Sequence, residues 1–164
     1  RVLVALAERG FKVVWLVNDK AVQAAYTERH PNLKLVSKLS FGELRALYQT
    51  CAAQIMPTTR DAHCAGQTTS MEAIACGAPV VISPGRTAGI FDGIPSVRVV
   101  ANDTVEAWIA EVSAVLEGGV QQHDVILARS IIERRTSISN IVQNLSPFMG
   151  WPREDVPAEL RRAS

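Results

Sequence analysis

The residues with the most chemical potential lie between His63 and Ser83, in the segment HCAGQTTSMEAIACGAPVVIS. Gly66 allows close approach of the backbone, and the polar residues that follow it favour the start of a helix. The first N–H groups of a helix are unpaired and carry the positive end of the helix dipole, so phosphate binds there readily. The segment therefore predicts an anion-binding site.

Glu72 follows this predicted helix start by about one turn. Its neighbours Met71, Ile74 and Ala75 recur at helical spacing, which makes the segment mainly apolar. A buried carboxylate is costly unless something binds it, and a carboxylate can accept two sugar hydroxyls. The residue types alone leave a second interpretation open, in which Glu72 is solvated or caps a neighbouring loop.

A tight turn and a strand complete this unit. Gly77 suits the left-handed residue after a helix, and Pro79 prevents the helix from continuing. The run Val80–Ile82 is short, apolar and β-branched, which is typical of a strand buried on both faces. The whole segment thus predicts a loop, a helix, a turn and a buried strand.

Strand and helix patterns alternate along the rest of the chain, which predicts an α/β fold with a parallel sheet. Strands are predicted at 11–17, 33–36, 52–56, 80–82 and 96–100. Helices are predicted at 1–10, 20–29, 104–116, 120–135 and 138–148, with Asn102 or Asp103 as the N-cap of the third. A further helix is predicted to begin at Ser40, which forms a capping box with Glu43. Residues 85–93 are predicted to form a loop with one short turn. We expect residues 1–150 to form one Rossmann-like domain with helices on both faces, and residues 151–164 to form a polar tail.

Composition narrows the classes of function. Of the residues, 48% are apolar and 20% are charged, and the net charge is +1, which gives no electrostatic reason to expect nucleic acid as a partner. No apolar run approaches the roughly 20 residues of a membrane span. Cys51, Cys64 and Cys76 lack the spacing of a zinc site or a disulfide framework, so we expect no metal and a cytoplasmic location, with the membrane face open as an alternative through a further part of the polypeptide. We also expect no cofactor.

Residues 72–81, EAIACGAPVV, resemble the signature of retaining glycosyltransferases of the two-domain B type, in particular the group 1 (family 4-like) enzymes that use nucleotide-sugars. The usual pattern there is a glutamate, seven residues, and then E-A-M-A-x-G-x-P-V-V. The resemblance covers roughly residues 11–118. It implies the C-terminal, donor-binding domain, in which Glu72 bonds the donor ribose and the N–H groups near Gly66, Gln67 and Thr68 hold the diphosphate.

The chain departs from that pattern at one position. Cys64 stands eight residues before Glu72, where the family has its first glutamate, near the transferred sugar. A variant group in the family reads G-Q-x-T-x-x-E-A, and this chain is closer to it. The resemblance therefore implies that the nucleotide end of the site is retained and that the sugar end differs.

Other candidate contacts lie in loops that follow strands, because ligands of open parallel sheets bind beyond the carboxyl ends of the strands. These binding candidates are Lys38, Thr58, His63, Cys64 and Thr69. For Lys38 the solvated surface lysine is the favoured interpretation, whereas His63 is equally interpretable as an ordinary loop histidine. Arg60 suits a phosphate contact or an ion pair with Asp61. No residue is assigned a catalytic role.

The expected function is transfer of a sugar from a nucleotide-diphospho-sugar to an acceptor, with retention of configuration. Two alternatives stay open at this point: a non-catalytic binding or scaffolding domain of the same fold, and a nucleotide-sugar epimerase. A Rossmann half normally begins with a strand, whereas residues 1–10 predict a helix. We therefore expect a longer polypeptide whose N-terminal domain binds the acceptor, and expect this domain by itself to be inactive.

Overall fold

The computed structural model describes residues 1–26, 30–58, 65–137 and 140. The helices are α1 (Val2–Glu8), α2 (Lys20–Tyr26), α3 (Phe41–Thr50), α4 (Gln67–Ala75), α5 (Arg86–Gly89), α6 (Val105–Ala114) and α7 (Gln122–Arg135). The strands are β1 (Val13–Leu16), β2 (Leu33–Val36), β3 (Gln54–Met56), β4 (Val80–Ile82) and β5 (Val97–Val99). A π turn, Val115–Gly119, follows α6. This order confirms the predicted α/β fold.

Every strand pairing in the described chain is parallel, as predicted, but the strands form two sheets. One sheet has the order β1-β2, with Val13 opposite Leu33. The other has the order β3-β4-β5, with Gln54 opposite Val80 and Val80 opposite Val97. The expected single sheet is therefore divided between β1 and β3.

Helices cover both faces of the β3-β4-β5 sheet and one face of the β1-β2 sheet, which confirms a Rossmann-like layering. On one face, α3, α4, α5 and α7 form a core in which Ile74 and Ile82 are almost fully buried. On the other face, α1 and α6 pack on both sheets through Leu6 and Trp108, which are fully buried. The second core joins the two sheets, because it holds Val13 of β1 together with Val81 of β4.

Local sequence signals account for many of the element ends. Ser40 and Glu43 form the predicted capping box at α3, and the hydrogen bonds from Ser40 hold the pKa of the Glu43 carboxyl below its usual value. Gly77 has a φ of 92°, as its place after α4 predicts. The N-cap of α6 was predicted wrongly. Thr104 is the cap, and its side-chain oxygen accepts from the Ala107 N–H, while Asn102 bonds the Thr104 backbone.

Several predictions fall outside the described residues. These are the helix predicted at 138–148, the tail at 151–164 and the loop residues 59–64. Across the described ranges, every helix is too short or too polar to cross a membrane.

Candidate functional site

At the start of α4, the Gly66 backbone lies close to the side chain of Met56 at the end of β3. Gly66 is the N-cap of α4 and has φ 80° and ψ −1°, a left-handed conformation that glycine adopts without strain. A Cβ atom at this position would lie 2.5 Å from both Cγ and Sδ of Met56, the last residue of β3. The sequence predicted the need for glycine here, and Met56 supplies its steric reason.

The first turn of α4 presents backbone donors. The first intrahelical hydrogen bond runs from the Ser70 N–H to the Gly66 carbonyl, over 2.9 Å. The N–H groups of Gln67, Thr68 and Thr69 precede it, and the Gly66 cap supplies no side-chain acceptor. Thr68 is exposed, and Gln67 and Thr69 are half-buried. These donors lie at the positive end of a helix dipole and suit an anion.

Glu72 is exposed, so the cost of burying a carboxylate is no argument for a ligand at this residue. Its position on α4 is the stronger argument. Thr68 and Thr69 precede it by four and three residues, which puts all three on one helix face. The rise of a helix places Glu72 about 7.5 Å along the axis from Gln67. Helical side chains lean toward the N-terminus, and this direction brings the carboxylate back toward the free N–H groups.

Tyr48 of α3 lies beside Glu72. Burial raises the pKa of the Tyr48 phenol to about 12, and the negative charge of Glu72 adds to this rise, followed by smaller effects of Cys76 and Cys51. The phenol therefore stays protonated at neutral pH, near the negative charge of Glu72. The sequence placed Tyr48 only in the core. Its proximity to Glu72 depends on how α3 packs against α4, which the sequence pattern does not encode.

The loop after β3 is tied to the end of β4. The Thr58 N–H donates to the Ser83 hydroxyl over 2.9 Å, and the Ser83 N–H donates to the Met56 carbonyl over 3.2 Å. Ser83 is buried, and the sequence had marked it only as the end of a strand. A serine directly after a fully apolar strand was the available signal for this positioning role.

A buried hydrogen bond between Ser70 of α4 and Gln54 of β3 fixes α4 to the sheet. The Ser70 hydroxyl donates to the Gln54 side-chain oxygen over 3.4 Å, and both residues are buried. Buried polar groups are stable only when they are paired, so this contact favours one position of α4 over β3. It holds the free N–H groups at the carboxyl end of the sheet.

Lys38 lies in the loop between β2 and α3. Its φ is 54°, a left-handed value that is uncommon for a lysine, and its side chain is exposed. Within the part of the chain that the structure describes, no hydrogen bond or ion pair joins Lys38 to α4. Lys38 therefore stays a predicted contact from the neighbouring sheet.

A cavity of about 1320 Å³ runs between the two sheets. Its lining includes Asn18, Thr58 and Thr69, which come from the loops after β1 and β3 and from α4. Thr58 and Thr69, two of the predicted contacts, thus border the same cavity. Gly66, Gln67, Thr68 and Glu72 continue the same helix start beyond the cavity lining. His63 and Cys64 lie outside the described residues.

Fold and site together define an α/β protein with open parallel sheets and a candidate anion site at the carboxyl ends of its strands. Comparison with protein-family models gave no match, and comparison with curated proteins gave none. Within the described ranges, no group of three His, Cys, Asp or Glu side chains is placed to hold a metal ion.

Proposed function

We propose that this chain is the donor-binding domain of a glycosyltransferase and holds a nucleotide-diphospho-sugar at the start of α4. One observation carries the proposal. The N–H groups of Gln67–Thr69, which have no hydrogen-bond acceptor among the described residues, lie at the carboxyl end of β3, and Glu72 follows them on the same helix face. The resemblance of residues 72–81 to the group 1 signature supports the same ligand class.

In this proposal the diphosphate lies on the amides of Gln67, Thr68 and Thr69. Negative charge grows on the diphosphate as the bond from the sugar to its phosphate oxygen breaks. Fixed donors that point at this charge stabilise it without having to reorganise, and the helix dipole adds to the effect. The sugar passes to an acceptor hydroxyl, which a second domain of the longer polypeptide would position.

Glu72 has a different role in this arrangement. Its carboxylate accepts hydrogen bonds from the ribose hydroxyls of the donor, and the Tyr48 hydroxyl lies beside it as a protonated neighbour. Hydrogen bonds to a charged group contribute about 1.5–3 kcal/mol each. Glu72 therefore sets affinity for the pentose, whereas the α4 amides set affinity for the phosphates.

The experiment separates these two contributions by titration calorimetry. The ligands are the diphosphates of uridine, guanosine and adenosine, with inorganic pyrophosphate as a ligand that has no pentose. We expect Glu72→Gln to weaken the preferred nucleoside diphosphate by at least about tenfold. Pyrophosphate affinity should change by less than about twofold, because that ligand does not reach Glu72.

Glu106→Gln is the matched control, since Glu106 is an exposed glutamate near the start of another helix, α6. It should leave the affinity for every ligand unchanged. Equal affinity of wild type and Glu72→Gln for all three nucleotides would contradict the proposal. Loss of pyrophosphate binding in Glu72→Gln would contradict the division of roles between helix start and carboxylate.

A second function, nucleotide-sugar binding without transfer, is favoured by one observation. Cys64 occupies the position of the family's first glutamate, which lies near the transferred sugar. A thiol cannot replace a carboxylate as an acceptor for sugar hydroxyls of comparable strength. A domain of this second kind would bind the nucleoside diphosphate and its sugar conjugate with the same affinity, whereas a donor domain that grips the sugar would bind the conjugate more tightly.

A further inference from the structure

Two cysteines occupy matching places at the ends of neighbouring helices. Cys51 is the residue directly after α3, and Cys76 is the residue directly after α4. Both are free thiols, both are half-buried, and both pack against the apolar core that α3 and α4 share. Each helix thus delivers one thiol to the same layer of the fold.

The sheet brings these two helix ends side by side. The Gln54 N–H of β3 donates to the Pro79 carbonyl, directly before β4, over 2.8 Å. Cys51 precedes Gln54 by three residues. Cys76 precedes Pro79 by the same number of residues. Two connections of equal length therefore lead from the cysteines to a directly hydrogen-bonded pair, in strands that lie about 4.8 Å apart.

The sides of α3 and α4 that carry the cysteines also face each other. Tyr48 lies one turn before Cys51 on the same side of α3, and Glu72 lies one turn before Cys76 on α4. The Tyr48 phenol, whose pKa is raised chiefly by burial, is also affected by the negative charge of Glu72 and of Cys76 on the opposite helix. Burial raises the pKa of the Cys51 thiol as well, and Cys76 adds to that rise. The two thiols therefore lie across one gap between α3 and α4.

The spacing of these helix ends suits a disulfide. The Cα atoms of bonded cysteines are usually about 4.4–6.8 Å apart. The axes of packed helices are about 8–10 Å apart, and residues on their facing sides are closer together than the axes. Both cysteines also lie where the chain leaves its helix for two adjacent strands, which brings the two connections toward the spacing of the sheet.

We propose that Cys51 and Cys76 form a reversible disulfide, which joins the end of α3 to the end of α4 and makes the chain responsive to thiol oxidation. The oxidant is a low-molecular-weight disulfide such as oxidised glutathione. The Cys76 thiolate attacks one sulfur atom of the oxidant and releases the first glutathione thiolate. The Cys51 thiolate then attacks the Cys76 sulfur and releases the second. The protons of both cysteines pass to the two released thiolates, and two electrons reduce the oxidant.

Burial gives the two thiols different roles. Because burial raises the pKa of Cys51, few Cys51 thiols are ionised at neutral pH, and Cys51 attacks an oxidant from solution slowly. It attacks second, when the mixed disulfide on Cys76 already lies beside it. A reducing compartment keeps the pair as thiols, and a rise in oxidised glutathione closes the bond. The closed loop restricts the unfolded chain, so the oxidised form should be the more stable one.

The experiment compares the reduced and the oxidised full chain in a Cys64→Ala background, because Cys64 would otherwise compete for the oxidant. Oxidised glutathione should remove both remaining thiols, lower the mass by that of two hydrogen atoms and leave no glutathione attached. Tm should rise by at least about 4 °C, since the disulfide closes a loop of some 25 residues. Dithiothreitol should restore both thiols and the lower Tm.

Cys51→Ala and Cys76→Ala, each in the Cys64→Ala background, are the matched controls. Each should retain one glutathione and show no rise in Tm. The glutathione adduct should form faster in Cys51→Ala, which keeps the thiol that attacks first. Two glutathione adducts on the parent chain would overturn the proposal, and so would two free thiols after oxidation. A disulfide-linked dimer on a non-reducing gel would overturn it too, because the bond would then join two copies of the chain.

Discussion

Strands β1 and β4 have similar sequences and different surroundings. The sequence of β1 is VVWL and that of β4 is VVI, and both were predicted from their apolar, β-branched residues. In β4, all three residues are 0% exposed, whereas in β1 Val14 is 44% and Leu16 is 40% exposed. The difference lies in the neighbours, because β4 is paired on both edges and β1 on one.

A β-branched run therefore predicts a strand but not the number of strands that pair with it. A central strand is buried by strands on its two edges and by helices on its two faces. β4 has all four neighbours, with α4 and Trp108 of α6 belonging to the cores on its opposite faces. β1 lacks a neighbour on the edge toward β3, and the face that carries Val14 and Leu16 is exposed, whereas Val13 on the opposite face is buried.

Truncation of the last residue of each strand tests this difference and should have the largest effect. Ile82→Ala should lower the free energy of unfolding by about 2–5 kcal/mol, because it opens a cavity in a filled core. Leu16→Ala should cost about 1 kcal/mol, since much of that side chain is already in water. Chemical denaturation monitored by circular dichroism measures both values.

Should Ile82→Ala fail to fold, Ile82→Val supplies a milder test, with an expected loss of about 0.5–1.5 kcal/mol. Equal losses of unfolding free energy in Ile82→Ala and Leu16→Ala would contradict the difference between the two strands.

Much of the fold was predictable because its signals are local. The strands 33–36 and 80–82 were predicted with the bounds that the structure shows, and the Ser40–Glu43 box and Gly77 were identified from residue type and spacing. Hydrophobic period, capping residues and turn glycines act over a few residues. The division into two sheets was not predictable, since it depends on which strand edges meet.

The candidate site was predictable to a similar degree. The helix start at Gly66 and the carboxylate at Glu72 belong to one short segment, and the segment itself indicated them. The roles of Tyr48 and Ser83 come from residues distant in sequence, which pack against that segment only in the fold. Of the two interpretations left open for Glu72, the structure favours the solvated one, because hydrophobic neighbours in sequence do not determine which face of α4 is covered.

Substitution of one glycine at the start of α4 and of one in α3, the helix beside the cavity, should change stability in opposite directions. Gly66→Ala should destabilise the chain by about 1–2 kcal/mol through its left-handed backbone alone. Displacement of Met56 from the new Cβ adds to this cost. Gly42→Ala in α3 meets no atom within 4 Å and should stabilise the chain by about 0.5–1 kcal/mol. Thermal unfolding should show a lower Tm for Gly66→Ala and a higher Tm for Gly42→Ala than for the unchanged chain.

The double variant Gly66→Ala with Met56→Ala separates the two causes at position 66. Removal of the Met56 side chain relieves the steric contact but leaves the backbone strain, so the cost of Gly66→Ala should fall without vanishing. A cost of zero in the Met56→Ala background would show that the left-handed conformation is not required at the start of α4.

The smallest expected effect concerns Tyr48, which lines the cavity and also lies beside Glu72 of the candidate site. The pKa of its phenol is raised to about 12 in the folded chain, from about 10 in an unfolded one. The protonated phenol thus favours folding below about pH 10, and this contribution is lost as the pH rises to about 12. Tyr48→Phe should remove that alkaline loss of stability.

Glu72→Gln should lower the pKa of Tyr48, but by less than burial raises it, because burial is the larger cause. Ultraviolet difference absorbance follows the phenol, with Tyr48→Phe identifying the signal of Tyr26. Glu106→Gln is the control and should leave the titration unchanged. An unchanged Tyr48 titration in Glu72→Gln would place the carboxylate away from α3, and the pairing of phenol and carboxylate in the candidate site would be wrong.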